Sequence, residues 1–276
     1  MVWSCSFHSS FTAVPSGKPM DTAVDVFLQS DGRSAGDVLA ALPYDQARGV
    51  VGGKPDEKRY RDTRQLLRTI GLVFDEGVNG ENVLRVTDFG KALSRWRPEL
   101  TARNVRIIAR HASLALAACQ LRNPTKEGSR YAADVEVFPF QFIWRAMLSL
   151  DGRITMDELN RAIFKTRGEK DLADAITAIR TARASGNATA MGAEVESGSK
   201  KNDRIGVWMG WASFGWSLIN GLKQSPDGVS YMISSPWALR TIQTAASIHR
   251  RHREFSTARE YVEYLSRCAG VPPVLM

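Results

Sequence analysis

Cysteine is scarce in this chain: Cys5, Cys119 and Cys268 are far apart and odd in number. That spacing excludes a disulfide framework and fits a reducing compartment. No apolar run approaches the roughly 20 residues that a membrane-spanning helix requires. The N-terminus, with Trp3, His8 and many serines, lacks the basic start and apolar core of a signal peptide. A cytoplasmic protein is therefore expected. Catalytic signatures are missing as well, with no glycine-rich phosphate loop, no nucleophile elbow and no Cys/His pair. His249 and His252 are close in sequence but have no third ligand beside them, so no metal site is assigned. Pro55-Asp56-Glu57-Lys58 contains the letters of a PD-(D/E)xK nuclease but lies at a loop-to-helix junction. It lacks the strand on which carboxylates and lysine would hold a divalent ion. No catalytic residue and no cofactor are assigned to this chain.

What is present is an excess of cations. Hydrophobic residues make up 43% and charged residues 24% of the 276 positions, ordinary for a globular protein, yet the net charge is +8. Such an excess favours polyanionic partners, nucleic acid first among them.

The stretch from Lys54 to Trp96 organises the rest. Tyr60, Thr63, Leu67 and Ile70 recur at helical spacing, which predicts a helix over Glu57 to Ile70, with Lys58, Arg59, Arg61, Arg64 and Arg68 mostly off the buried stripe. Gly71 stops that helix, and Leu72-Val73-Phe74 and Val83-Leu84-Arg85-Val86 read as the two strands of a hairpin around the Gly77 to Asn82 turn. Thr87 offers an N-cap to a helix through Phe89, Leu93 and Trp96. Basic helix, wing, helix is the order of a winged helix-turn-helix.

Two helices precede this stretch, one with Ala23, Val24, Phe27 and Leu28 inside and one capped by Ser34. A further apolar helix follows from about Thr101 to Leu121, and the polar loop from Arg122 to Asp134 reads as a boundary. A second module starts at Phe138. Its amphipathic helix is followed by a capping box, Thr155 with Glu158, and by a third helix from Lys170 to Ala184. Residues Ser185 to Asp203 read as a linker or mobile loop. A third module takes Val207 to Leu222 as a tryptophan-rich helix, Val229 to Ile233 as a hairpin strand, and helices opened by Pro236 and by a second capping box, Thr257 with Glu260. The expected fold is mainly α with short β-wings, arranged as tandem winged-helix subdomains at 1–121, 135–206 and 207–276.

Arginine pairs bidentately with guanine edges and with phosphates. On that basis the Lys58 to Arg68 helix would read base edges and Arg85 would touch the backbone or minor groove. Lys165, Arg167, Lys170, Lys200, Lys201 and Arg204 would add phosphate contacts. Arg250 and Arg251, in the run His249 to Arg253, either grip phosphate or complement a helix C-terminus.

The segment from Arg61-Asp62-Thr63 through Leu93 resembles the N-terminal DNA-recognition part of the AlwI-like family of type IIS restriction and nicking endonucleases. Trp3-Ser4-Cys5-Ser6, Phe138 to Leu150, Arg259 to Tyr264 and Val271-Pro272-Pro273 are similar too. The resemblance implies winged-helix subdomains that bind an asymmetric duplex site. This chain ends at Met276, where that family's nuclease domain begins. Cleavage, with its Mg2+, would then belong to a separate nuclease domain or subunit, in a restriction or phage-defence system. A winged-helix transcriptional regulator and a protein-interaction scaffold are the alternative readings.

Overall fold

The computed structural model describes residues 3, 19–42, 57–96, 105–125, 128–195, 198–213 and 221–270. These residues are mainly helical, with two small antiparallel sheets. The chain divides into two compact units. Met1–Ser9, Leu116–Phe214 and Asn220–Glu254 form a central unit; Ser10–Ala115, Gly215–Ile219 and Phe255–Met276 form a flanking unit.

The flanking unit begins with α1 (Pro19–Leu28), which buries Ala23, Val24, Phe27 and Leu28. The turn after it is tied to the hairpin that lies further along the chain. Gly32 donates its amide to Leu84 O at 2.8 Å, Leu84 returns one to Arg33 O at 2.9 Å, and Ser34 bridges Val83. The Asp31 carboxylate extends this pairing by accepting the Val86 amide at 3.0 Å. Ser34 also caps α2 (Ala35–Ala41), its hydroxyl accepting the Asp37 amide.

Helix α3 (Glu57–Thr69) buries Tyr60, Thr63 and Leu67, with Ile70 just beyond it, and packs on α1, α2 and the first hairpin strand. Gly71 then turns the chain at φ +79°. A side chain there would also lie 2.7 Å from the Leu265 Cβ, so both backbone angle and space demand glycine. Strands β1 (Val73–Val78) and β2 (Glu81–Val86) pair in register from Val73 opposite Val86 to Val78 opposite Glu81. The two-residue loop between them, Asn79-Gly80, has φ of 52° and 83°, the type I′ pattern that matches strand twist. The Thr87 hydroxyl donates to Gly71 O at 2.7 Å and accepts the Gly90 amide at 3.1 Å, so it joins the start of α4 (Asp88–Trp96) to the end of the α3 turn. Helix α4 packs on α1. Helix α5 (Val105–Ala118) follows, and the division between the units falls within it.

The central unit repeats this order. Helix α6 (Pro139–Ser149) leads into β3 (Arg153–Thr155) and α7 (Met156–Arg161); α8 (Glu169–Ser185) and α9 (Gly198–Ala212) follow. Then come β4 (Leu222–Gln224), β5 (Ser230–Ile233) and α10 (Pro236–Ser247). Strand β3 pairs with β5, and β5 with β4, just as Ser34 pairs with β2 and β2 with β1. Helix α9 packs on α6, α7 and β4, as α3 packs on α1, α2 and β1, and α10 packs on α6 as α4 does on α1. Helix α8 is the inserted element. The last helix, α11 (Ala258–Ala269), belongs to the flanking unit and packs on β1 and α4.

The core of the central unit is aromatic. Trp3 is 1% exposed, with its ring 5.3 Å from Phe164 and 5.6 Å from Trp208; its indole N–H donates to Thr166 O at 3.0 Å. Trp208 and Trp211 are buried, as expected for core residues. Across the unit, Arg183 of α8 donates to both carboxylate oxygens of buried Glu158, at 2.7 and 3.0 Å, and to the carbonyls of Leu150 and Arg153. The same Glu158 completes the capping box with Thr155.

Four expectations are corrected. Residues 135–206 and 207–276 are not separate modules, because β3 from one completes the sheet of β4 and β5 from the other and α9 runs across the supposed boundary. The predicted linker is largely ordered: α8 continues to Ser185, a helical turn covers Ala188–Met191, and α9 starts at Gly198. The supposed boundary at Arg122 to Asp134 is bound into the central unit, where the Leu121 amide donates to Val137 O at 2.9 Å and Arg122 Nε to Val135 O at 3.2 Å. At the Thr257 cap, Glu260 takes the Ser256 amide instead of closing a box on Thr257.

Replacing a buried tryptophan opens a cavity and removes a large contact area. Trp3→Ala is expected to destabilise the central unit by about 3 to 5 kcal/mol, measured by denaturant unfolding followed by tryptophan fluorescence.

Candidate nucleic-acid interface

On α3 the buried stripe leaves Arg61 exposed and Gln65 half-buried, one helical turn apart. The side chains of Lys58, Arg59 and Asp62 lie outside what the structure describes. Arg64 and Arg68 do not share the outward face. They lie along the flank of α3 that meets β1, where one carboxylate holds both: Arg64 Nη1 is 3.6 Å from Asp75 Oδ1 and Arg68 Nη1 3.2 Å from Asp75 Oδ2. The three side chains are 28%, 18% and 19% exposed. The Arg64 guanidinium also sits over the Tyr60 ring, 5.2 Å from its centroid. The expectation that the whole cationic set of this helix points at base edges is corrected: Arg61 is presented outward, whereas Arg64 and Arg68 are turned to the hairpin.

The opposite face of β1 carries a second clamp. Glu76 accepts Arg85 Nε at 2.6 Å and pairs with Arg259 of α11, which lies over the Phe74 ring and donates to Glu263 at 2.9 Å. Arg85 is the single cation of the hairpin from Val73 to Val86, against Asp75, Glu76 and Glu81. That hairpin is acidic and its cation is engaged, so it is a poor surface for tracking phosphates, contrary to the role expected of Arg85. Nearby, Lys91 pairs with Asp31 at 2.8 Å. Burial alone would raise the Asp31 carboxyl, but hydrogen bonds from Lys91 and the Val86 amide outweigh it and hold the group below its ordinary value. A cleft of about 370 Å³ is bordered by these same groups, its cations matched by carboxylates, so it offers a polyanion little net field.

In the central unit, the backbone of α9 places Lys200, Lys201 and Arg204 on its first two turns; their side chains lie outside the described residues. Lys170 is exposed in the first turn of α8. Lys165 and Arg167 are engaged locally. Lys165 donates to Ala193 O, beside the Arg161 contacts to Gly192 O and Glu194, and Arg167 pairs with Asp134. The bonds of Lys165 and Arg161 fasten the segment that connects α8 to α9, and the Arg167 pair ties the loop before α6 to the turn before α8.

The run His249 to Arg253 is not helical, because α10 ends at Ser247. Its anchor is His252, 5% exposed, whose Nδ1 lies 3.2 Å from an Arg122 guanidinium N–H and whose Nε2 lies 3.2 Å from Arg122 O. This pattern fits a neutral ring protonated at Nε2. Arg122 also pairs with Glu254 at 2.5 Å, and the Arg253 amide donates to Gln120 Oε1. Arg251 is exposed and Arg250 half-buried. With this irregular run pinned at His252, the reading that placed its cations at a helix C-terminus does not apply.

Glu57 and Lys58 open α3, whereas Pro55 and Asp56 lie outside the described residues. Among the described residues no group of three or more His, Cys, Asp or Glu side chains could hold a metal ion, and no helix is long and apolar enough to cross a membrane. Cys119 is buried and Cys268 half-buried, and Cys5 lies outside the described residues.

Burial, and then the charge of Arg122, pushes the His252 pKa below its ordinary value. A depressed histidine contributes stability that is present above the unfolded-state pKa of about 6.5 and lost as pH falls below it. His252→Gln is expected to flatten the fall in melting temperature between neutral pH and about pH 5, measured by thermal melts across that range. No protein-family model and no curated protein sequence matches the chain.

Proposed function

We propose that this chain is a double-stranded DNA-binding protein built from two winged-helix units, serving as the recognition domain or subunit of a type IIS-like restriction or phage-defence system. One observation carries the reading. With α8 set aside as an insertion, the same order occurs twice: helix, short strand or single bridge, helix, third helix, hairpin, helix, with the strand or bridge on the outer edge of the hairpin's second strand. In winged helices the third helix of that order is the one that enters the major groove. Here it is α3, with Arg61 and Gln65 outward, and α9, with Lys200, Lys201 and Arg204 on its opening turns. Arginine recognises guanine O6 and N7, and glutamine recognises adenine N6 and N7, each through two hydrogen bonds. At one-turn spacing the two side chains reach neighbouring base pairs. Cleavage, and the Mg2+ that it needs, is assigned to a separate nuclease domain or subunit.

A second reading is favoured by the acidic hairpin of the flanking unit, since Asp75, Glu76 and Glu81 suit a basic protein partner better than a phosphate backbone. In that case the chain is a scaffold and mobility-shift assays give no salt-dependent shift. A winged-helix transcriptional regulator is set apart by a palindromic site bound as a dimer.

Selection of bound sites from random duplexes tests the proposal. Arg61→Ala is expected to lose roughly 1 to 3 kcal/mol of discrimination at one base pair of the selected site, measured by competition binding. Equal loss on selected and random duplexes reduces Arg61 to a backbone contact.

A further inference from the structure

The two arginine clamps on β1 differ in tightness. Arg85 and Glu76 are in hydrogen-bond contact at 2.6 Å and Arg259 adds a second donor to the same carboxylate. Around Asp75, by contrast, Arg64 stands off at 3.6 Å and Arg68 at 3.2 Å, beyond the roughly 2.7 to 2.9 Å of a strong guanidinium–carboxylate bond. One carboxylate shared by two guanidiniums leaves that cluster with a surplus positive charge. All three side chains keep partial contact with solvent, so an incoming anion can reach them. Partly exposed pairs of this kind hold only weakly against solvent, and a phosphodiester oxygen offers the same acceptor geometry as the carboxylate.

We propose that Asp75 sets the specificity of duplex binding by withholding Arg64 and Arg68 from phosphate until a matched site is docked; the proposal rests on the duplex-binding reading above. Phosphates carry no sequence information, and cations free to grip them raise affinity for every duplex alike. With Asp75 in place, the two guanidiniums exchange carboxylate for phosphate only when α3 is seated deeply enough for its outward face to engage base edges. Asp75 is thus a positioning residue that costs affinity on random DNA and preserves discrimination.

The test compares the full-length chain with Asp75→Asn on random and selected duplexes between 50 and 200 mM salt. Asp75→Asn is expected to bind random duplex roughly tenfold more tightly at the lower salt, with a log–log salt slope steeper by roughly 1 to 2, and to lose discrimination between the two duplexes. Adding Arg64→Gln and Arg68→Gln to that variant should return the slope to the wild-type value. The same two arginine substitutions made with Asp75 intact should leave random-duplex affinity within about twofold of wild type, which tests the idea even where Asp75→Asn folds poorly. An unchanged slope and unchanged random-duplex affinity in folded Asp75→Asn, with only a lower melting temperature, would make Asp75 a mere brace and overturn the inference while duplex binding stands. A slope lowered by the arginine substitutions with Asp75 intact overturns it too. Failure of wild type and every variant to bind any duplex overturns both this inference and the functional reading.

Discussion

Each unit depends on a short length of backbone that reaches from one helix to a hairpin far along the chain. In the flanking unit it is the Gly32 to Ser34 segment on Val83 and Leu84, reinforced by the Asp31 carboxylate on the Val86 amide. In the central unit it is β3 on β5. Without that link the third helix would rest mainly on apolar packing, aided on α3 by the Asp75 ion pairs, and apolar packing fixes depth but tolerates rotation and sliding. With it, the helix is enclosed between two earlier helices and the hairpin that follows it, and the outward face of α3 becomes a fixed surface. Gly71 and Thr87 complete the arrangement: the first lets the chain turn tightly against Leu265, and the second joins the end of α3 to the start of α4 through one hydroxyl.

The sequence made the local features legible. Stripe spacing located α1, α3 and α6; Gly71, Thr87, Pro236 and the Thr155–Glu158 box marked helix ends because each acts within one turn of its own position. The order of helix, hairpin and helix around Lys54 to Trp96 was readable for the same reason. The partition into modules was not. Strand β3 is three residues long and its partner lies far along the chain, with Ile154 opposite Tyr231, so no periodicity announces the pairing. Strand β4 lay hidden at the end of an apparent helix, since Leu222-Lys223-Gln224 is too short to alternate visibly. The start of α9 is polar and glycine-bearing, which composition alone reads as a linker although a packed helix follows from it.

Charge was the least legible property. Counting arginines on α3 gave one basic face, yet where each guanidinium goes depends on which side chain the hairpin brings beside it. Asp75 and Glu76, adjacent in sequence, point to opposite faces of β1 and gather Arg64 with Arg68 on one side and Arg85 with Arg259 on the other. Two carboxylates thereby sort four arginines. The same holds in the central unit, where Lys165 and Arg167 fasten loops and His252 anchors a run that resembled a simple cationic patch. What a polyanion could use is therefore narrower than the net charge of +8 suggests.

The central claim, that the third helices face duplex DNA, is tested most directly by backbone amide shifts in the isotope-labelled chain as a selected duplex is titrated in. The account predicts the largest changes at Arg61, Gln65 and the first turns of α9, with the Asn79-Gly80 hairpin tip unaffected. Changes confined to the hairpin, or none on α3 and α9, would contradict it.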